Sequence, residues 1–107
     1  MEMTTEEKTK DLQRCIDEIA LVPNSGSSSP EFARWRRDTE LAIGHAFGDQ
    51  EHSLELKRIQ FSPALVRGFG RQAAGRYAAA SQRAFADGLS HARVLLQSMI
   101  DELLRYG

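Results

Sequence analysis

An all-α fold, a small helical bundle of three main helices with a short extra turn and one extended segment, is what this sequence predicts, on three observations. Ala (13) and Leu (11) far outnumber Val and Ile, which total 8, a balance that favours helix over sheet. Apolar residues recur at steps of three and four in three separate stretches. Pro and Gly punctuate the chain between those stretches rather than within them, Gly44, Gly75 and Gly88 excepted.

The first helix is expected over Thr5 to Val22. Thr4 or Thr5 provides the N-cap, and Glu6 and Glu7 suit the positive helix end. Leu12, Cys15, Ile16, Ile19 and Val22 form its apolar stripe, and Pro23 ends it. Residues 23–30 read as a flexible polar linker. The second helix opens with Ser29 as cap and Pro30 at the first helical position, and Gly48 is its stop. Phe32, Trp35, Thr39, Ala42, Ile43, Ala46 and Phe47 share its inner face.

Ser53 is then expected to cap one or two turns through Lys57. Ile59 and Phe61 alternate with Gln60 and Ser62, an extended pattern that stops at Pro63. Residues 62–71 form the second linker. The last helix runs from Gln72 or Arg76 to Arg105, with Tyr77, Phe85, Leu89, Ala92, Leu96, Met99, Ile100 and Leu103 as its stripe. Small residues from Ala78 to Gly88 allow another helix to approach its first half closely. Gly88 costs about 1 kcal/mol relative to Ala inside a helix, so a packing reason for it is expected. The whole, residues 1–107, forms a single domain arranged up-down-up, with Phe32, Trp35, Phe47, Phe85 and Leu96 as core anchors.

Several function classes fall away at this level. The longest apolar run is four residues, so no transmembrane helix is expected, and the acidic, polar N-terminus does not resemble a secretory signal. One cysteine excludes an internal disulfide and makes the cytoplasm the simplest compartment. His45, His52 and His91 show no metal-ligand spacing with Cys15, and no nucleophile turn is marked. Asp101 and Glu102 read as surface charge. No catalytic residue, metal or cofactor is therefore expected.

Charge is uneven although the net value is −1. Residues 56–86 carry six bases and no acid, whereas residues 1–30 and 31–55 each carry six acids and three bases. Such a chain can associate with itself, and Arg67, Arg71, Arg76 and Arg83 are the candidate interface or anion-binding residues. Glu6, Glu7, Asp11 and Glu51 are their candidate counterparts on a neighbour. The alternative is a nucleotide or small-anion sensor built on the Gly-punctuated segment 67–76. The low net charge disfavours nucleic acid as the partner.

One ordered set of residues carries a resemblance. Phe32-x-x-Trp35, Phe47-Gly48 with Ser53, Ile59-Gln60-Phe61-Ser62-Pro63, and Phe85-x-x-Gly88-Leu89-x-x-Ala92-x-x-Leu95-Leu96 are followed by Met99-Ile100-Asp101-Glu102-Leu103. Over residues 31–104 this resembles the small helical N-terminal region of bacterial anti-phage immune proteins. Their C-terminal effectors are often Toll/interleukin-1-receptor-like domains, and some are described as predicted nucleotide-binding proteins. The resemblance implies a non-catalytic adaptor that assembles or regulates an effector, whether fused or separate. No effector follows Leu104-Arg105-Tyr106-Gly107 here, so a subunit beside a separate effector and a domain cut at its boundary both stay open.

Overall fold

The computed structural model describes residues 3–22, 29–61 and 72–106, with side chains in the last stretch from residue 80 onward. Four helices appear in order: α1 (Thr5–Ile19), α2 (Pro30–Phe47), α3 (Glu51–Lys57) and α4 (Gln72–Tyr106). No strand occurs among the described residues, and the fold is an all-α small bundle. No helix is long and apolar enough to cross a membrane among those residues. Both linker segments predicted from sequence, 23–28 of the first and 62–71 of the second, lie outside the described residues.

Each helix start follows from a local acceptor. Thr4 receives the Glu7 amide at 3.1 Å, and Ser29 receives the Phe32 amide at 3.1 Å. Ser29 belongs to the fold rather than to the linker: it is buried, and Pro30 is the first helical residue. Losing a cap of this kind costs about 0.5–2 kcal/mol. Ser29→Ala is therefore expected to lower the denaturation midpoint more than Thr4→Ala, because only Ser29 leaves a buried amide without its partner. Paired urea melts measure that difference.

Two boundaries differ from the sequence expectation. α1 ends at Ile19, three residues short of Val22, because the amides of Leu21 and Val22 turn back to Glu18 and Ile19. These are tighter i→i+3 turns, and Pro23 disfavours α geometry just before it. α3 opens at Glu51, not after a Ser53 cap. The Asp49 carboxylate takes the His52 amide at 3.0 Å and so fills the N-terminal acceptor role from outside the helix. Gly48 closes α2 as expected, at φ 68° in the left-handed region, with its amide on the Gly44 carbonyl at 2.8 Å.

α1 is the middle helix, packed on α2 along one side and α4 along the other, while α3 bridges α2 and α4. The stripe of α1 is buried at Leu12, Cys15, Ile16 and Ile19. The indole N–H of Trp35 donates to the Cys15 carbonyl at 2.9 Å, which locks α2 to α1. One turn on, the fully buried Thr39 hydroxyl donates to the Trp35 carbonyl at 2.7 Å. That bond settles the one polar residue on the inner stripe of α2.

Where α2 and α4 meet, rings do the joining. Phe32 lies 4.7 Å from Phe61 and 5.0 Å from Phe85 between centroids, in tilted and edge-on arrangements. Phe61 arrives on the extended segment 59–61, with Ile59 and Phe61 buried and Gln60 exposed, as their alternation predicts. That segment crosses α4 at Gly88. A Cβ built there would come within 2.6 Å of Phe61 Cδ1 and 2.9 Å of the Gln60 carbonyl. The packing reason for Gly88 is thus the Gln60–Phe61 segment of the same chain, not the neighbouring helix anticipated from sequence.

Among the expected core anchors, Phe32, Trp35, Phe85 and Leu96 are buried. Phe47 is a correction: it is half-buried at the rim and packs against the core from outside. Its register places it one step round the helix from Ala46, where the corner with α3 begins.

Candidate interaction surface

Helix α4 is the longest of the four. Its 35 residues span about 52 Å, against about 22 Å for the 15 of α1 and about 27 Å for the 18 of α2. Among its described side chains, which begin at residue 80, the buried ones run from Phe85 to Leu103, roughly 27 Å of that length. The helical backbone continues N-terminal to Phe85 through residues 72–84, about 20 Å more, and α4 as a whole nearly matches the longest molecular extent of 55 Å. Within this stretch, Ala80, Gln82 and Arg83 are exposed.

The four candidate arginines are distributed unequally by this architecture. Arg83 is exposed on α4 and has no ion-pair partner among the described residues. Arg76 lies on the backbone of α4, in the stretch whose side chains are not described, and Arg67 and Arg71 lie outside the described residues. The candidate tyrosine of the stripe, Tyr77, shares the position of Arg76. On the acidic side, Glu6 is held by Lys10 at 3.1 Å, and Asp11 and Glu18 clasp Arg14 at 2.8 and 3.0 Å. These exposed pairs within α1 contribute only tenths of a kcal/mol each. Glu7 and Glu51 are exposed and form no ion pair among the described residues, so they are the freer carboxylates of the four.

The basic side of α2 forms a shallow open groove of about 270 Å³, lined by Phe32, Ala33, Arg36, Arg37 and Glu40. Arg36 lies over the Phe61 ring at 5.5 Å and 3.8 Å from Glu40, so it is engaged in covering the aromatic cluster. Trp35 points away from that groove into the core, as its 4% exposure shows.

Cys15 is fully buried, and burial pushes its thiol above the ordinary value, with the Thr39 hydroxyl and Arg14 opposing weakly. A shielded, protonated thiol is a poor nucleophile. In the native protein Cys15 is expected to resist alkylation by iodoacetamide at pH 8 and to react once denaturant unfolds the chain. Rapid labelling without denaturant would contradict this packing. No group of three or more His, Cys, Asp or Glu capable of holding a metal occurs among the described residues.

One polar constellation escaped the sequence reading. His52 stacks face to face on Phe47, centroids 3.7 Å apart and planes within 3°. Its Nδ1 lies 2.9 and 3.0 Å from the two Asp49 oxygens, and its Nε2 lies 3.0 Å from Glu102 Oε2. Glu102 is exposed yet not simply surface charge, whereas Asp101 only accepts from Gln97 at 3.3 Å. The i,i+3 spacing of Asp49 and His52 was a readable signal. The contact to Glu102, fifty residues away, had none.

Compared with known proteins, this chain matches no protein-family model, no curated protein and no solved structure. The fold is a small all-α bundle whose last helix is much longer than its neighbours and is exposed at Ala80, Gln82 and Arg83 among its described side chains.

Proposed function

We propose that this chain is a non-catalytic helical interaction module of the cytoplasm that assembles with copies of itself or with an effector, fused or separate, of the bacterial immune kind its sequence resembles. The observation that carries this reading is the length of α4, 35 residues against 15 and 18 in α1 and α2, with Ala80, Gln82 and Arg83 exposed in the first half of that helix. Its sequence, from Ala73 to Ala84, is rich in Ala, carries Arg76 and Arg83, and contains no acid. A partner helix gains close approach from the small residues and charge complementarity from its own carboxylates. In a second copy, Glu7 and Glu51 are the carboxylates free to meet that stretch.

Light scattering after size-exclusion chromatography, across protein concentration and a salt series, tests the proposal. The expected result is a mass above the monomer at low salt that falls as salt screens the charges. Arg76→Glu with Arg83→Glu is expected to shift that equilibrium toward monomer by roughly tenfold, since like charges set against carboxylates oppose assembly. A strict monomer at high concentration and low salt, with no partner recovered from cells, overturns it.

A further inference from the structure

A neutral imidazole has one N–H to donate, and a carboxylate can only accept. Both nitrogens of His52 face carboxylates: Nδ1 faces Asp49, from the corner between α2 and α3, and Nε2 faces Glu102, from the end of α4. Both contacts are hydrogen bonds only when the ring carries two protons. With one proton fewer, a nitrogen lone pair points at a carboxylate oxygen 3.0 Å away, and that contact becomes repulsive.

We propose that His52 is a proton-operated tie, which as imidazolium joins the α2–α3 corner to the last turns of α4 and as neutral imidazole releases Glu102. Asp49 is the partner retained, because the His52 backbone N–H also holds it at 3.0 Å and keeps it on the Nδ1 side. Glu102, about half exposed, is free to swing into water. The Phe47 face holds the ring in one plane throughout, so the proton changes the bonding and not the ring position. Among the described residues the charged groups on the ring are Asp49 from the corner and Glu102 from α4, and α2 supplies only the uncharged Phe47.

The electrostatics agree with that geometry. Partial burial favours the neutral ring, but the bonds to Asp49 and Glu102 outweigh it and hold His52 above its ordinary value of 6.5. The bonds from His52, backbone first, hold Asp49 below its ordinary 3.8. A raised histidine stabilises the fold fully below the ordinary histidine range and loses that contribution as pH rises through the raised value. A lowered aspartate contributes above 3.8 and loses its contribution as pH falls through the lowered value. The tie is therefore closed below the ordinary histidine value of 6.5 and opens as pH rises through the raised His52 value.

Titration of the His52 ring by NMR, read together with the backbone amides of residues 102–106, tests this. The expected result is a His52 midpoint above the ordinary 6.5, with those amides shifting at the same midpoint. Glu102→Gln should lower the His52 midpoint by roughly half a pH unit and abolish the matching amide shifts. Glu55→Gln, on the exposed side of α3, should change neither. A His52 midpoint at or below the ordinary 6.5 overturns the proposal. So do amides that ignore it, or an equal effect of Glu55→Gln, which would reveal a diffuse field in place of a tie.

Discussion

Trp35→Ala is expected to unfold the domain or bring it to the edge of unfolding. The side chain is 4% exposed, and its ring lies 6.0 Å from Phe32 and 6.4 Å from Phe61 between centroids. Truncating a buried aromatic costs about 3–5 kcal/mol, out of the roughly 5–15 kcal/mol that a small domain holds in reserve. The substitution also removes the donor to the Cys15 carbonyl, which anchors α2 on the central helix. Trp35→Phe keeps most of the volume and loses the bond, so it is expected to cost about 1–3 kcal/mol. Guanidinium melts of the two variants beside Arg83→Ala separate core from surface. The arginine variant should melt within about 0.5 kcal/mol of the parent, as exposed substitutions do. A Trp35→Ala protein that melts like the parent and loses its partner would make Trp35 a binding residue instead.

Gly88→Ala is expected to destabilise by about 1–3 kcal/mol, the usual cost of forcing atoms into a packed site. Helix propensity by itself predicts the opposite, a gain of about 1 kcal/mol for Ala over Gly in a helix interior. The close approach decides the sign. Phe61 Cδ1 at 2.6 Å belongs to a ring wedged against Phe32, and the Gln60 carbonyl at 2.9 Å is backbone, so neither yields cheaply. Thermal melts of Gly88→Ala give the sign directly. Gly44→Ala is the control, because a Cβ at Gly44 meets nothing within 4 Å. That variant is expected to match or exceed the parent in stability, and a Gly88→Ala protein that does the same would remove the extended segment from α4.

Much of this fold was legible because helix signals are local. Ser29, Pro30 and Gly48 mark the two ends of α2 through hydrogen bonds and dihedral preferences that act within one turn. For α4 the sequence left the start open between Gln72 and Arg76 and expected the end at Arg105; the helix runs from Gln72 to Tyr106. The errors arose where two local signals competed. At α3 both Asp49 and Ser53 offered an acceptor, and Asp49 prevailed because its carboxylate reaches the His52 amide just past the glycine stop. At the end of α1 the apolar stripe continued to Val22 while the hydrogen bonding tightened at Ile19; Val22 still packs on the core, but from a turn. At the rim, helical spacing alone placed Phe47 in the core, whereas the corner into α3 turned it toward His52.

The candidate surface was less legible than the fold. The sequence placed a basic, acid-free stretch on the first part of the last helix, but periodicity cannot tell a covered turn from an uncovered one. Which turns of α4 are covered depends on where along its length α1 and α3 dock, which is a property of the assembled bundle.

By itself the sequence determined the helical class, the capped starts of α1 and α2, the glycine stop at residue 48 and the apolar faces, because each depends on residues within a few positions of one another. Only the tertiary structure decided that Phe61 fills the space of an absent Cβ at Gly88 and that the Trp35 indole finds the Cys15 carbonyl. It also decided that His52 joins Asp49 to Glu102. These pairings depend on the distances between elements set by packing, and a pattern that repeats every three or four residues carries no information about them.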